Sequence, residues 1–259
     1  MDGFTSSEGD PPARAWHQAG LREDADIVTS SEDYANRFAG DAGQWFLEAQ
    51  ARLTLELLSL LPVGASVLDV GGGHAQIAPS LIEAGYEVTV VGSHPVCAAR
   101  LTPWTASGRC RFEVVDLGAL PYLAESFDAV VCLRLLPHSV SWEALIGELC
   151  RVARGSVLLD YPSRRSTNVL SKRLFALKQG IERNTRPFLV FTPRQIGAAF
   201  ADHGYIVAAE RPQFLLPMAL HRLINWADLS RAAEAPGRVV GLTRWFGSPV
   251  LVRADRAGI

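Results

Sequence analysis

Cysteine is scarce in this chain of 259 residues, with four widely spaced at Cys97, Cys110, Cys132 and Cys150. No two of them form a CxxC pair, and no group of cysteines and histidines has the spacing of a zinc site. Each falls in an apolar or helical stretch, which predicts buried free thiols in a reducing compartment.

An excess of one charge and long apolar runs are absent as well. The 25 basic and 27 acidic residues leave a net charge of −2, which disfavours a protein that coats nucleic acid. The opening MDGFTSSEGD has neither the basic nor the apolar region of a secretory signal. No apolar run approaches the roughly 20 residues that cross a bilayer. We therefore expect a cytoplasmic monomer or homodimer without a membrane span.

The composition that is present, with 48% hydrophobic residues, is that of an ordinary globular protein. Residues 1–30 are rich in Ser, Asp, Glu, Gly and Pro, so we expect a mobile tail there and a single domain over 31–259. Two segments, 162–187 and 212–247, interrupt the pattern of that domain. They are expected to form a partly helical lid or cover outside the sheet.

Short runs of valine and leucine alternate with helical patterns from residue 66 onward. Because such continuous apolar strands are covered on both faces, they predict an α/β fold with a mostly parallel sheet of seven strands. The predicted strands are 66–70, 87–91, 111–115, 128–133, 156–160, 205–210 and 249–253. The predicted helices are 41–61, 75–84, 95–101, 142–152 and 193–203.

A glycine-rich turn follows the first predicted strand, in the sequence DVGGGHA at 69–75. Ligands of open parallel sheets bind beyond the carboxyl ends of the strands, where glycines let the backbone approach them closely. The dinucleotide fingerprint G-x-G-x-x-G fails at Gln76, and the P-loop pair Gly-Lys is absent. The turn therefore predicts a nucleotide-type site that favours neither NAD(P) nor ATP.

Several ordered segments resemble class I S-adenosylmethionine-dependent methyltransferases of the ubiquinone/menaquinone type. They are VLDVGGGHA at 67–75, VVDLGALPYLAESFDAVVC at 114–132, LLPH at 135–138 and LIGELCRVARGSVLLDYP at 145–162. The resemblance implies a Rossmann-like fold, S-adenosylmethionine as cofactor and methyl transfer to a small-molecule acceptor, with oxygen the favoured acceptor atom. The sequence shows no metal-ligand spacing, so we expect no metal.

The resemblance also implies cofactor contacts. Asp69 would orient the methionine ammonium, and Gly71 and Gly73 would line the methionine and the ribose. Asp116 would accept a hydrogen bond from the adenine amino group, and the backbone of Leu117 would support the ring.

Further contacts are implied on the methionine side. Arg134 and Leu135, just after the fourth strand, would flank the methionine. Tyr34, from the N-terminal segment, would fold over the cofactor.

The second strand departs from the family pattern. Family members carry an acid at its end that binds both ribose hydroxyls, whereas this chain reads Val91-Gly92-Ser93-His94. We expect the hydroxyl of Ser93 or the ring of His94 to replace that acid and to bind the ribose more weakly.

The acceptor side has fewer signals. His138 is the candidate general base, with packing or substrate orientation as the alternative. Asp160 and Tyr161 are expected to point into the same cleft and touch the substrate. The basic residues between Arg164 and Arg186 indicate either a solvated helix face or a lid for an anionic or amphiphilic acceptor.

Two other functions stay open. An NAD-type reductase or epimerase is disfavoured by Gln76 and by the missing acid at Gly92. A methyltransferase-fold module that binds or senses S-adenosylmethionine without turnover is favoured by that same missing acid.

Overall fold

Seven strands form one sheet in the computed structural model, which describes residues 24–166 and 188–258. The strand order is β3-β2-β1-β4-β5-β7-β6, and only β7 runs antiparallel to its neighbours. The strands are β1 Ser66–Val70, β2 Glu87–Gly92, β3 Cys110–Val114, β4 Phe127–Cys132, β5 Ala153–Tyr161, β6 Tyr205–Phe214 and β7 Ser248–Arg256. The predicted Rossmann-like sheet of seven mostly parallel strands is confirmed.

The connections between the strands are largely helical. The α-helices are α1 Ala25–Thr29, α2 Glu32–Asn36, α3 Gly40–Leu58, α4 Ala78–Glu83, α5 Thr102–Ala106, α6 Trp142–Val152, α7 Pro193–Ala201, α8 Met218–Ile224, α9 Ala227–Val239 and α10 Leu242–Phe246. Short 3-10 helices cover Gly72–His74, Pro95–Leu101 and Leu136–His138. Helix α4 begins later than predicted, because the glycine turn continues as a 3-10 helix and Pro79 is tolerated only in the first helical turn.

Helices cover both faces of the sheet, and strand alternation decides which side chain meets which helix. On β1, Leu68 and Val70 join the core under α6 and α7. Val67, on the opposite face, joins the core under α3 and α4. Asp69 has the same parity as Val67, so its carboxylate lies on the α3 face of the sheet.

The predicted boundary of the N-terminal tail is wrong for residues 24–30. Residues 1–23 lie outside the described residues, but α1 packs against the glycine turn and buries Ala25, Asp26 and Thr29. The apolar contacts of Ala25 and the hydrogen bonds of Asp26 hold this segment in the fold.

The structure describes the two interrupting segments to different extents. Residues 167–187 of the first, and with them most of the basic cluster, lie outside the described residues. The second begins later than predicted, because β6 continues through Phe214 by pairing with β7. Helices α8, α9 and α10 then confirm its partly helical character. Among the described helices, none combines the length and apolarity needed to cross a bilayer.

A buried acid–base pair joins two helices of this cover. His221 on α8 and Glu234 on α9 are fully buried, with 3.0 Å between His221 Nε2 and Glu234 Oε1. The Glu234 carboxylate also accepts hydrogen bonds from the amides of Leu215 and Leu216. Burial alone would raise the pKa of Glu234, but these hydrogen bonds lower it.

We predict that Glu234→Ala lowers the free energy of unfolding by roughly 1–3 kcal/mol, because two partly buried amides and a buried imidazole lose their acceptor. Urea unfolding followed by tryptophan fluorescence measures the change. The control is Glu83→Ala, which removes an exposed acid from α4. Equal stabilities of the two variants would contradict the prediction.

Candidate cofactor site

The ends of the parallel strands bring the predicted site residues to one edge of the sheet. β1 lies between β2 and β4, with Asp69 level with Val90 on one side and Val131 on the other. The segments that follow these strands therefore meet in one region, as expected for a ligand site in an open α/β sheet.

Gly71 and Gly72 are required by the shape of the turn. Gly71 has a φ of +72°, which favours glycine. A Cβ added to Gly72 would lie 2.0 Å from Asp69 Oδ2, so the turn passes directly over that carboxylate. Ala75 also has a positive φ of 53°, an uncommon conformation for a residue with a side chain.

Gly73 is a glycine for a different reason from the predicted one. A Cβ added there would lie 2.5 Å from the Cys97 carbonyl oxygen and 2.6 Å from Ser30 Oγ. The residue faces neighbouring parts of the chain. Its predicted contact with a cofactor is therefore not what requires a glycine in this structure.

Asp69 is a buried acid without a partner. Its side chain is fully buried, and neither carboxylate oxygen has a hydrogen-bond partner within the described chain. Burial raises the pKa of Asp69 to about 7. Burying an unpaired carboxylate lowers the stability of the fold. Such a group is typical of a ligand-binding site.

The end of β2 is occupied by a carboxylate from α1. The Asp26 Oδ2 atom accepts a hydrogen bond from the Ser93 amide at 2.7 Å, and Oδ1 accepts one from the Ser93 hydroxyl at 2.5 Å. The Cys97 thiol donates to Oδ2 at 3.2 Å. Ser93 is therefore at the site as predicted, but Asp26 was missed. His94 is exposed and uses its ring nitrogen to cap the helix at Pro95–Leu101, which disagrees with its predicted role.

A second buried network joins β4, β5 and α3. The Arg134 amide donates to Asp160 Oδ1 at 2.6 Å. Gln50 bridges the two charged side chains, since its Oε1 accepts from Arg134 Nε at 3.0 Å and its amide nitrogen donates to Asp160 Oδ2 at 2.9 Å. Arg134 Nη1 has no hydrogen-bond partner within the described chain. Sequence reasoning missed Gln50, because a glutamine on an amphipathic helix carries no distinguishing signal.

Aromatic side chains from the N-terminal segment cover this network. The Arg134 guanidinium lies 4.0 Å from the ring centroid of Phe38, a cation–π contact. Tyr34 is buried beside it, and burial raises the pKa of its hydroxyl, while the charge of Arg134 acts in the opposite direction. Tyr34 thus lies where the methionine-side contacts were predicted.

The predicted adenine-side residues differ in exposure. Leu117 is fully buried, as is Leu135, whose side chain lies over Gly71. Asp116 is exposed, and its Oδ1 accepts a hydrogen bond from the Gly118 amide at 2.9 Å.

The acceptor-side residues lie in different surroundings. His138 ends a 3-10 helix after β4, is half-buried and packs edge-on against Phe188, with 5.5 Å between ring centroids. The expectation that Tyr161 shares the cleft with Asp160 is wrong, because consecutive strand residues face opposite sides of the sheet. The Tyr161 side chain instead packs in the α6–α7 core, and its hydroxyl donates to the exposed Glu210 on β6.

A cavity of about 510 Å³ lies beside the glycine turn, between α2, α3 and α4. Its lining includes Phe38, Glu48, His74, Gln76 and Arg100. The volume falls within the range of about 300–1,000 Å³ that is typical of small-molecule sites. Burial lowers the pKa of His74 to about 3, so this imidazole is neutral.

Comparison with known proteins agrees with this fold. The family model described as a methyltransferase domain matches residues 44–210. The chain is 33% identical over 124 residues to a ubiquinone biosynthesis O-methyltransferase of Xanthomonas axonopodis pv. citri (strain 306), covering 43% of this chain and 52% of that protein. It is 31% identical over 114 residues to an O-methyltransferase of Pyrenophora dematioidea, covering 41% and 42% respectively. The chain thus spans about half the length of these relatives.

Among solved structures, a similar one is magnesium protoporphyrin IX methyltransferase from Synechocystis PCC 6803 with bound SAH. The TM-score is 0.63 at 17% identity, over 89% of this chain and 97% of that chain. This likeness shows the fold, which is that of class I S-adenosylmethionine-dependent methyltransferases. The chain belongs to the methyltransferase domain family, and the predicted resemblance is confirmed.

We predict that Asp69→Asn changes how stability depends on pH. The folded-state pKa of about 7 lies above the ordinary value of 3.8, so the folded protein holds a proton that the unfolded chain releases. The carboxylate therefore costs nothing below pH 4, and its cost grows as pH rises to about 7. The variant should gain stability over the native chain across that window, on the order of 4 kcal/mol at most.

Urea unfolding at several pH values between 4 and 8 tests this expectation. Asp33→Asn, an exposed change on α2, is the matched control. Curves that stay parallel for the Asp69 variant and the native chain would show that Asp69 keeps an ordinary pKa in the folded state.

Proposed function

We propose that this protein transfers a methyl group from S-adenosylmethionine to an oxygen of a small-molecule acceptor. The observation that carries the proposal is a pair of complementary groups at the ends of two neighbouring strands, each with buried polar atoms that have no hydrogen-bond partner within the described chain. Asp69 offers a buried carboxylate that would hold an ammonium, and Arg134 offers a buried guanidinium N–H that would hold a carboxylate. The methionine part of the cofactor carries both of those charges.

The other residues at this edge fit the same ligand. Asp116 and Leu117 would hold the adenine, and Ser93 lies at the position expected for the ribose. Gly71 lets the backbone approach the ligand, while Leu135 and Tyr34 would enclose the methionine side. Hydrogen bonds to charged groups, such as those of Asp69 and Arg134, are worth about 1.5–3 kcal/mol each.

When bound, S-adenosylmethionine supplies an electrophilic methyl group on its sulfonium. The protein then has to hold the acceptor oxygen in line and exclude water, and positioning of this kind can lower a barrier by roughly 7–11 kcal/mol in ideal cases. The half-buried imidazole of His138 would take the proton of an acceptor hydroxyl. Asp160 would orient this side of the site through Arg134 and Gln50.

The acceptor is proposed to be anionic or amphiphilic. Two exposed arginines, Arg164 and Arg165, follow β5 at this edge of the sheet and support an anionic group. Incubating the protein with methyl-labelled S-adenosylmethionine and fractionated small molecules, and following the label, would identify the acceptor.

A module that binds S-adenosylmethionine without turnover is the second candidate. It is favoured by the lack of an acid at the end of β2, where the chain has Gly92. Binding of the cofactor without formation of S-adenosylhomocysteine in any fraction would support this candidate over the enzyme.

We predict that affinity for S-adenosylhomocysteine depends on Asp69 and on pH. Because the cofactor's ammonium needs the ionised carboxylate, binding should weaken about tenfold for each pH unit below 7. Asp69→Asn should bind weakly at every pH and lose that dependence. Calorimetry measures both effects, and an Asp69→Asn affinity equal to that of the native chain would exclude this role.

We predict that His138→Ala lowers kcat by about 100-fold while the Kd for S-adenosylhomocysteine stays within about twofold. A general base acts on the acceptor and makes no contact with the cofactor, which separates the two constants. His203→Ala, at an exposed histidine after α7, is the control. Unchanged turnover in His138→Ala would leave this histidine with packing or orientation alone.

A further inference from the structure

We infer that Asp26, on helix α1, binds the ribose hydroxyls of the cofactor and replaces the acid that β2 lacks. The inference rests on the proposed function, since it concerns the same cofactor. It assigns the contact to a residue far from β2 in the sequence, in a segment for which the sequence predicts a mobile tail.

The Asp26 carboxylate lies in the space that a side chain at the end of β2 would fill. A Cβ added to Gly92 would be 3.1 Å from Asp26 Oδ2 and 3.0 Å from Cys97 Cβ. An acid at position 92 would therefore compete with Asp26 for the same volume. Gly92 at the end of β2 therefore leaves the space that the Asp26 side chain on α1 fills.

The hydrogen bonds of Asp26 match what a vicinal diol offers. The Ser93 amide is a fixed backbone donor to Oδ2. In addition, each carboxylate oxygen accepts from one rotatable donor, Oδ1 from the Ser93 hydroxyl and Oδ2 from the Cys97 thiol. Two neighbouring ribose hydroxyls present the same pattern, one O–H to each oxygen, and would replace a hydroxyl and a weakly donating thiol.

The burial of Asp26 supports a ligand-binding role beside the structural role described above. The residue is fully buried, and within the described chain no cationic side chain pairs with it. A buried carboxylate without a counter-charge is retained at a cost, and such groups concentrate at functional sites. Its neighbours include the glycine turn and the end of β2, which the proposed cofactor would touch.

Helix α1 lies beside the glycine turn, with the Asp26 Cβ 3.5 Å from a Cβ added to Gly71, so α1 would shift outward if the ribose entered between them. The helix is suited to such a movement. It has five residues, far short of the roughly 12–15 residues at which an isolated helix becomes stable. Its contacts with the turn therefore decide its position, and a ligand can replace them.

Calorimetry with the full chain tests the assignment by crossing a protein change with a ligand change. The ligands are S-adenosylhomocysteine and its 2′-deoxy analogue, and the proteins are the native chain and Asp26→Asn. In the native chain, loss of the hydroxyl should weaken binding at least about tenfold. Asp26→Asn should bind S-adenosylhomocysteine at least about tenfold more weakly and no longer distinguish the two ligands.

The control is Asp33→Asn, an exposed acid one helix further along, which should behave as the native chain. Thermal unfolding of each variant without ligand checks that it is folded. Native-like affinity and discrimination in Asp26→Asn would overturn the assignment and leave the proposed function intact. Tighter binding by Asp26→Asn would also overturn it, and would show that Asp26 only blocks the site. Failure of the native chain to bind either ligand would remove the proposed function together with the assignment.

Discussion

The contact between the Gly72 backbone and the Asp69 carboxylate sets the shape of the whole site. The side chain cannot turn toward solvent, because strand alternation directs it to the α3 face and the glycine turn passes over it. Any larger residue at position 72 would collide with an oxygen at 2.0 Å. The acid is thereby kept buried and without a hydrogen-bond partner in the described chain. The backbone above it lies close enough to line a ligand.

Charge in this region is unevenly distributed. Asp26, Asp69 and Asp160 are buried at the strand ends, whereas Arg134 is a buried cation that is linked to Asp160 directly and through Gln50. Burial raises the pKa of Asp160, although hydrogen bonds from Arg134 and Gln50 act against it. Such a region suits a ligand with more positive than negative charge, and S-adenosylmethionine, with a sulfonium and an ammonium against one carboxylate, is of that kind.

Much of the fold could be read from the sequence because its signals are local. The apolar runs located all seven strands within a few residues, and the amphipathic pattern of 142–152 gave the bounds of α6. The turn at 69–75 and the residues after β4 were likewise found from short motifs. These signals depend only on neighbours along the chain.

The misses depend on distant partners or on overlooked geometry. Asp26 meets Ser93 across 67 positions, and Gln50 meets Asp160 across 110, so no local pattern could pair them. Alternation along a strand places Tyr161 and Asp160 on opposite faces of the sheet. The sequence alone therefore excludes a cleft that both side chains share. The proline at position 79 did limit the start of α4, but the 3-10 turn that delays the helix is set by contacts with other elements.

The cover formed by α1 has a kinetic consequence. With Ala25 and Asp26 buried over the strand ends, a small molecule arriving from solvent meets a closed surface. The rate of ligand binding would then be limited by how often that short segment moves away. The observed association rate would therefore level off at high ligand concentration instead of rising in proportion to it. The same segment would slow release of the bound ligand. It would also shield a reactive methyl donor from water until the acceptor binds.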